Sequence, residues 1–216
     1  MMSLKFSLND KPLYLVTDHF QTAGRSHFDI IEAALKGGIR FVQFRDKELS
    51  DSDFVQAAEK IVKVCNHFGA TILFNDRVEL AKELGSDGVH LGQDDMDCIE
   101  ARKILGPTQL IGLSTHNQIE VEKAQSLPID YINIGPLFAT NTKDHSAFGT
   151  LGLNKVTELS KLSTLPVTTM GGIKKSHLKE IYQSGIKTVA MVTEITLAEN
   201  IAARVQELLA ESGFSK

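Results

Sequence analysis

Cysteine is scarce in this sequence, and the two residues present stand alone. Cys65 and Cys98 are the only cysteines among the 216 residues. They lie far apart in the chain, and neither belongs to a CxxC or CxxH pattern. The sequence therefore excludes a disulfide scaffold and a zinc finger built on cysteines.

Long apolar runs and runs of basic residues are also missing. Lysine and arginine number 23 against 27 aspartates and glutamates, a formal net charge of −4, so nothing favours nucleic acid as a partner. The apolar runs are far too short to span a membrane, and the polar segment 1–10 lacks the pattern of a signal peptide. We expect a cytoplasmic protein without membrane or nucleic-acid partners.

The composition is that of an ordinary globular protein. Hydrophobic residues make up 42% of the chain and charged residues 23%, which is enough apolar material for a sizeable core. No linker or low-complexity segment divides the sequence. We therefore predict a single domain over residues 1–216, with residues 1–12 as an N-terminal extension.

Short apolar runs alternate with amphipathic stretches along the chain. The apolar runs predict eight strands: Tyr14–Thr17, Phe41–Arg45, Thr71–Phe74, Gly88–Leu91, Leu110–Leu113, Tyr131–Ile134, Val167–Met170 and Val189–Val192. The amphipathic stretches predict eight helices: Phe28–Lys36, Phe54–Phe68, Arg77–Leu84, Cys98–Leu105, Gln118–Ser126, Leu153–Lys161, Ser176–Gln183 and Glu199–Ala210. This alternation predicts an α/β fold, a single (β/α)8 TIM barrel. A doubly wound open sheet is the alternative, although no GxGxxG motif follows the first strand.

The second predicted strand ends in a cluster of polar residues. Side chains alternate along a strand, so Gln43, Arg45 and Lys47 share one face. In a TIM barrel the carboxyl ends of the strands carry the active site, and an arginine with a lysine there predicts a bound anion such as phosphate. The alternative is an ion pair with a neighbouring acid, Asp46 or Glu48.

Two aspartates follow the third and fourth predicted strands. Asp76 stands after Asn75, and Asp95 follows Gln93 and Asp94. Carboxylates from adjacent strand ends can hold one divalent cation, and Mg²⁺ prefers a few carboxylates together with waters and substrate phosphate oxygens. The alternative is that Asp76 and either Asp94 or Asp95 cap the helices that follow.

The later strand ends carry hydroxyl groups and glycines. Ser114 can position a polar substrate, but no GxSxG motif surrounds it, and His116 is more simply interpreted as structural. Gly171-Gly172 ends strand seven and Val192-Thr193 ends strand eight. Barrels commonly bind phosphate at this corner through backbone N–H groups.

The segment Gly135–Gly152 lacks a strong periodicity and is long for a connection in a compact domain, which favours a functional loop. Thr140, Thr142 and Lys143 lie in it. The loop could close between the cationic region of strands two to four and the glycine corner of strands seven and eight. Two phosphorylated substrates that share one barrel mouth would account for both regions. A surface insertion without function is the alternative.

Six motifs occur in the order found in one known family. They are VQFRDK at Val42–Lys47, FNDR at Phe74–Arg77, GVHLGQDD at Gly88–Asp95, IGLSTH at Ile111–His116, IGPLFATNTK at Ile134–Lys143 and GGI at Gly171–Ile173. On these motifs the sequence resembles the thiamine-phosphate synthases, also called thiamine-phosphate pyrophosphorylases, from Leu13 to about Glu199. Each motif alone is weak, but the ordered set is highly specific.

The resemblance implies that 4-amino-2-methyl-5-hydroxymethylpyrimidine diphosphate is joined to a thiazole phosphate, with Mg²⁺, to give thiamine phosphate and pyrophosphate. It implies a dissociative route, in which the C–O bond breaks, a pyrimidine methyl cation forms, and the thiazole nitrogen captures it. Asp76 and Asp95 are then the metal ligands. The implied substrate-binding residues are Gln43, Phe44, Arg45, Asp46, Lys47, Asn75, Ser114, Thr140, Asn141, Thr142, Lys143, Gly172, Val192 and Thr193, and Arg45, Lys47, Ser114 and Lys143 are also catalytic.

Two positions depart from the family pattern. The family usually has a proline where Ala139 stands, just before the threonines of the loop, and a serine where Thr193 stands. A proline would fix the backbone φ angle, which alanine does not. Thr193 keeps the hydroxyl group and the backbone N–H. Neither departure removes a charge or a metal ligand.

Other functions stay open from the sequence. A thiazole tautomerase of the same fold moves a proton, but it lacks the complete set of diphosphate and metal residues that this chain keeps. A non-catalytic binder of phosphorylated thiamine precursors needs no metal site. Another phosphate-handling barrel isomerase needs an acid or base at the mouth, for which Glu48 and His116 are weak candidates. The sequence does not distinguish a monomer from a homodimer. It also does not show whether the thiazole substrate carries a carboxylate.

Overall fold

The computed structural model describes residues 7–8, 10–139 and 149–213. Eight parallel strands form one closed barrel in chain order, with each strand hydrogen-bonded to the next and β8 to β1. The strands are β1 (Leu13–Val16), β2 (Phe41–Phe44), β3 (Thr71–Asn75), β4 (Gly88–Leu91), β5 (Leu110–Thr115), β6 (Tyr131–Ile134), β7 (Val167–Thr169) and β8 (Thr188–Met191). The predicted (β/α)8 TIM barrel is confirmed.

Helices connect the successive strands. They are α1 (His27–Gly37), α2 (Asp51–His67), α3 (Val78–Glu83), α4 (Cys98–Leu105), α5 (Gln118–Ala124), α6 (Gly152–Ser160), α7 (Leu178–Gln183), α8 (Thr193–Thr196) and α9 (Ile201–Glu211). The prediction missed α8, a single turn after β8, and began the last helix two residues too early. The predicted helix Ser176–Gln183 begins as a 3₁₀ turn at Lys175–His177. Within the described ranges, no helix is long and apolar enough to cross a lipid bilayer.

Two apolar layers form because side chains alternate across each strand. The larger layer lies between strands and helices, where the rings of Phe44 and Phe54 stack with their centroids 4.4 Å apart. The smaller layer fills the barrel interior around Tyr14, Phe41 and Tyr131. Toward the carboxyl ends of the strands the interior becomes polar. The buried polar side chains there include Gln43, Asn75, His90, Ser114 and Asn133.

Leu8 belongs to the predicted N-terminal extension, yet it is part of the barrel core. It is 4% exposed, and its carbonyl oxygen accepts a hydrogen bond from Thr188 Oγ1 at 3.1 Å. Because Thr188 is the first residue of β8, Leu8 covers the amino end of the barrel interior. Residues 1–6 and 9 of the predicted extension lie outside the described residues.

Candidate active site

A pocket opens at the carboxyl ends of the strands. Its empty volume is about 690 Å³, and it reaches from β1 and β2 across to β7 and β8. Residues predicted to bind substrate line it: Gln43, Arg45, Asn75, Ser114, Gly172, Val192 and Thr193. The cationic region and the glycine corner predicted from the sequence therefore share one cavity.

Side chains at the end of β2 lie on both sides of the barrel wall. Gln43 and Arg45 line the pocket, whereas the ring of Phe44 is fully buried against Phe54 in the outer layer. Asp46 also turns to that outer side, toward α1. The side chains of Phe44 and Asp46 therefore point away from the pocket, and their roles in substrate binding stay predictions.

Arg45 is fixed by residues that follow β1. Its guanidinium group forms an ion pair with Asp18, which is 4% exposed. Thr17 Oγ1 accepts a hydrogen bond from the backbone N–H of Arg45 at 2.9 Å and donates one to the Arg45 carbonyl oxygen at 3.0 Å. The sequence offered Asp46 or Glu48 as an ion-pair partner, but the partner comes from the neighbouring strand end.

The carboxylate of Asp46 ties the turn after β2 to two histidines. Its Oδ2 lies 2.7 Å from His27 Nε2 and 3.0 Å from His19 Nδ1, while Oδ1 accepts from the backbone N–H groups of Glu48 and Leu49. Burial acts to raise the pKa of Asp46, but these four hydrogen bonds outweigh burial and lower that pKa. The hydrogen bond between His19 Nδ1 and the Asp46 carboxylate in turn raises the pKa of His19.

Lys47 joins the two aspartates predicted to bind a metal. Its Nζ lies 3.0 Å from Asp76 Oδ2 and 4.0 Å from Asp95 Oδ1. Asn75 Nδ2 donates a hydrogen bond to Asp76 Oδ2 at 2.7 Å, and the backbone N–H of Gly92 donates to Asp95 Oδ2 at 2.6 Å. The two carboxylates therefore converge on one position that already holds a positive charge.

Neither aspartate caps a helix, so that alternative is wrong. Arg77 is the N-cap residue of α3, and its side chain makes no capping bond. The cap of α4 is Asp97, whose Oδ1 accepts from the backbone N–H of Ile99 at 2.8 Å. Asp76 instead adopts a φ of +53°, a left-handed conformation that aspartate tolerates better than most residues. Its carboxylate is available to a cation.

Ser114 belongs to a chain of buried hydrogen bonds across the barrel interior. Gln43 Nε2 donates to Tyr14 Oη at 2.6 Å, and Tyr14 Oη lies 3.0 Å from Tyr131 Oη. His90 Nδ1 lies 2.8 Å from Tyr131 Oη, and His90 Nε2 lies 2.9 Å from Ser114 Oγ. Both ends of this chain, Gln43 and Ser114, line the pocket.

His116 is held by Glu120 at the start of α5. Its Nδ1 lies 2.9 Å from Glu120 Oε2, and its backbone N–H donates to the same oxygen at 2.8 Å. These contacts fix the junction between β5 and α5. They agree with the structural role that the sequence indicated for His116.

Two glycines allow the loops after β6 and β7 to approach each other closely. Gly171 and Gly172 have φ angles of +105° and +60°, and a Cβ atom on Gly172 would lie 2.3 Å from the Ala139 carbonyl oxygen. Val192 and Thr193 line the same pocket after β8. The corner between β7 and β8 therefore presents main chain to the cavity.

Four of the predicted substrate-binding residues lie outside the described residues. They are Thr140, Asn141, Thr142 and Lys143. The described parts of the same loop are hydrogen-bonded to the segment after β7 and to each other, as in the bonds from Phe138 N to Gly171 O and from Gly152 N to Leu137 O. The roles of these four residues stay predictions.

Residues 13–195 match the model of one protein family, described as thiamine monophosphate synthase. The matched stretch contains all eight strands and every residue of the pocket. The chain belongs to the thiamine monophosphate synthase family. The resemblance predicted from the sequence motifs is confirmed.

Individual members of the thiamine monophosphate synthase family agree with this assignment. The thiamine-phosphate synthase of Persephonella marina is 39% identical over 199 residues, which cover 92% of this chain and 94% of that protein. That of Caldicellulosiruptor saccharolyticus is 36% identical over 196 residues, covering 91% and 88%. The solved structure of thiamine phosphate pyrophosphorylase from Pyrococcus furiosus has a TM-score of 0.86 and 25% identity, and the match covers 95% of this chain and 96% of that one. The predicted assignment as a thiamine-phosphate synthase, a transferase of thiamine biosynthesis, is confirmed.

Sequence reasoning missed one residue that lines the pocket of this family member and several that lie behind its lining. His90 lies in the GVHLGQDD motif, and strand alternation from Gly88 through His90 places it on the inward side, which was the available signal. Tyr14 and Tyr131 carried no signal beyond being apolar strand residues. Asp18 was likewise missed, because its pairing with Arg45 joins distant parts of the chain.

Proposed function

We propose that this protein joins 4-amino-2-methyl-5-hydroxymethylpyrimidine diphosphate to a thiazole phosphate and releases pyrophosphate and thiamine phosphate. The observation that carries the proposal is the shared pocket, in which Arg45 and Asn75 lie across from Gly172 and Thr193. The cationic side suits a diphosphate, and the glycine corner suits a monophosphate. Both substrates are thereby brought together in one cavity.

The diphosphate is bound by the cations at the end of β2. Arg45, oriented by its ion pair with Asp18, offers two N–H groups to phosphate oxygens. Lys47 reaches the same diphosphate from its position between Asp76 and Asp95. Lys143, from the loop after β6, completes this set of cations in the proposal.

The pair Asp76 and Asp95 fits Mg²⁺. The described part of the chain has no group of three or more His, Cys, Asp or Glu side chains suited to a metal. Two carboxylates are enough for Mg²⁺, which fills its other positions with waters and phosphate oxygens. The convergence of both carboxylates on the Lys47 ammonium group supports a cation site at this position. Bound Mg²⁺ supplies positive charge that stabilises the leaving pyrophosphate.

The chemistry follows a dissociative route in the proposal. The C–O bond between the pyrimidine methylene and the diphosphate breaks, and its electron pair leaves with pyrophosphate. The ring amino group stabilises the resulting pyrimidine methyl cation. The thiazole nitrogen then donates its lone pair to the methylene carbon, which forms the C–N bond of thiamine phosphate. Arg45 and Lys47 stabilise the charge that develops on the leaving group.

The thiazole phosphate binds at the opposite corner of the pocket. Backbone N–H groups around Gly172, Val192 and Thr193 hold its phosphate, with Thr140 and Thr142 from the loop. From this corner, the thiazole nitrogen must face the pyrimidine for the C–N bond to form. The chain works as one domain in the cytoplasm on these small molecules, without a nucleic-acid partner.

Pyrophosphate release tests the proposed function. The purified protein is incubated with the pyrimidine diphosphate, the thiazole phosphate and Mg²⁺, with and without EDTA. We expect release that requires both substrates and stops when EDTA removes the metal. No release from a protein shown to be folded would favour the thiazole tautomerase or the non-catalytic binder instead.

A further inference from the structure

The hydrogen-bond chain between Gln43 and Ser114 has a direction. Gln43 Nε2 can only donate, so the buried Tyr14 hydroxyl group must place its own hydrogen on another acceptor, and Tyr131 Oη at 3.0 Å supplies one. Continued in the same sense, the chain has Tyr131 Oη donate to His90 Nδ1, 2.8 Å away. With Nδ1 as an acceptor, neutral His90 carries its hydrogen on Nε2 and donates it to Ser114 Oγ at 2.9 Å.

This direction fixes what the two ends of the chain offer to a ligand. Gln43 donates one amide N–H to Tyr14, which keeps the nitrogen on that side and leaves the oxygen Oε1 as the acceptor that Gln43 offers to the pocket. Ser114 accepts from His90, so its own hydroxyl hydrogen is directed to other acceptors. The pocket thus presents one acceptor and one donor. An aminopyrimidine ring carries the complementary pair, an amino donor beside a ring-nitrogen acceptor.

We propose that His90, Tyr131 and Tyr14 are positioning residues that set the hydrogen-bond polarity of the pocket and so select an aminopyrimidine over its oxo analogue. In the oxo analogue a carbonyl group and a ring N–H replace the amino group and the ring nitrogen, so donor and acceptor exchange places. The inference rests on the proposed function for the identity of the substrate.

Burial makes the direction of the hydrogen-bond chain costly to reverse. His90, Tyr14 and Tyr131 are 5%, 1% and 0% exposed, so water does not compete for their polar atoms. The ring of Tyr14 stacks on Phe41 with centroids 3.8 Å apart, which holds its hydroxyl group in place. Burial also raises the pKa of both tyrosines, so each hydroxyl keeps a single hydrogen at neutral pH. Reversal requires all five side chains to change together, because a partial change leaves a buried group unpaired.

The tautomer of His90 tests the direction without any activity. In ¹⁵N-labelled protein, the two ring nitrogens of His90 differ in chemical shift according to which one carries hydrogen. We expect hydrogen on Nε2 and none on Nδ1. In the Tyr131→Phe variant the donor to Nδ1 is gone, so we expect a mixture of both tautomers.

Steady-state kinetics tests the selectivity. We expect Tyr131→Phe to raise KM for the pyrimidine diphosphate by about tenfold while KM for the thiazole phosphate stays unchanged. The inhibition constant of the oxo analogue should stay unchanged or fall in the same variant. Tyr182→Phe is the matched control, because Tyr182 is also a shielded tyrosine, but its hydroxyl group donates to Pro12 O at the amino end of the barrel. A general structural defect would raise KM for both substrates.

The outcomes separate the inference from the proposed function. If wild-type protein releases no pyrophosphate, the proposed function falls, and the tautomer of His90 still decides the direction of the chain. If wild-type protein is active, hydrogen on Nδ1 of His90, or on both nitrogens, would overturn the inference. Unchanged kinetics in Tyr131→Phe, or an equal rise in both KM values, would overturn it as well.

Discussion

Gly112 leaves the space that the ring of Tyr131 occupies. A Cβ atom on residue 112 would lie 2.2 Å from Tyr131 Cζ and 2.4 Å from its hydroxyl oxygen. Gly112 and Tyr131 pair in register across β5 and β6. The absence of a side chain on one strand therefore sets the position of the hydroxyl group at the centre of the hydrogen-bond chain.

This relationship predicts that Gly112→Ala destabilises the protein. The added methyl group must push aside a fully buried ring, and overpacking of this kind costs about 1–3 kcal/mol. Urea unfolding measures the loss. The double variant Gly112→Ala/Tyr131→Val should lose less than the sum of the two single variants, because the ring is no longer there. Additive losses would show that the two positions do not interact.

Asp76→Asn and Asp95→Asn should each weaken the metal site. Each change removes one of the two negative charges that converge on Lys47. We expect the Mg²⁺ concentration for half-maximal pyrophosphate release to rise by at least about tenfold, since even the loss of a residue that only orients a metal ligand costs about that much in affinity. Asp94→Asn is the control, since Asp94 is exposed and adjacent in sequence. An equal effect of Asp94→Asn would mean that only local charge matters.

Arg45→Ala should slow turnover. The change removes a guanidinium group proposed to stabilise the leaving pyrophosphate, and a tenfold loss corresponds to about 1.4 kcal/mol of barrier. We expect a loss of at least that size in kcat for pyrophosphate release. Arg204→Ala, which removes a half-buried arginine paired with Glu207 on α9, far from the pocket, should leave kcat unchanged. Wild-type turnover in Arg45→Ala would contradict the role of Arg45.

Gly172→Ala should weaken binding of the thiazole phosphate. Gly172 has a φ of +60°, and a Cβ atom there would meet the Ala139 carbonyl oxygen at 2.3 Å, so the corner must open. Gly69 has nearly the same φ, +62°, but nothing lies within 4 Å of its added Cβ. Gly69→Ala therefore carries the same backbone strain without the clash. Only Gly172→Ala should raise KM for the thiazole phosphate, and a rise in both variants would point to strain alone.

Asp46→Asn should change how stability depends on pH. The pKa of His19 is raised above 6.5, so its contribution is complete below about pH 6.5 and is lost as the pH rises through the raised value. The pKa of Asp46 is lowered below 3.8, so its contribution is present above about pH 3.8 and is lost as the pH falls through the lowered value. Asp46→Asn should remove both dependences.

Two measurements check the Asp46 prediction. An NMR titration should show the pKa of His19 moving back toward 6.5 in Asp46→Asn, while Asp94→Asn leaves it raised. Urea midpoints across the acidic and neutral range should then depend less on pH in Asp46→Asn than in the wild-type protein. If the pKa of His19 were the same in Asp46→Asn as in the wild-type protein, the Asp46 carboxylate would not be what raises it.

The barrel could be predicted from the sequence because the strands of a buried parallel sheet are covered on both faces and therefore appear as continuous apolar runs. The run Tyr131–Ile134, for example, has the same bounds in the structure. The four-residue helix α8 was missed because one turn has no periodicity to detect. Strand ends located the pocket, since parallel strands bring their carboxyl ends to one face.

Side-chain partners were harder to predict than positions. Arg45 pairs with Asp18 rather than with a sequence neighbour, because β1 and β2 lie side by side and Asp46 points to the other face. The role of His90 depends on the fold of the barrel, which brings His90 on β4 within hydrogen-bond distance of Tyr131 on β6. Partner choice of this kind depends on contacts between distant residues, and one sequence does not contain them.

The inner hydrogen-bond chain also limits how such a sequence can change over generations. Substitutions in the outer layer, such as those around Phe54, alter packing one residue at a time. Within the inner chain, replacing one member leaves its neighbour buried and unpaired, whereas replacing adjacent members together by apolar residues of similar shape costs much less. A related protein that accepts a different heterocycle would therefore be expected to carry linked substitutions on β1, β2, β4, β5 and β6. Proteins with only one of these substitutions would be less stable, because a buried polar group would have lost its partner.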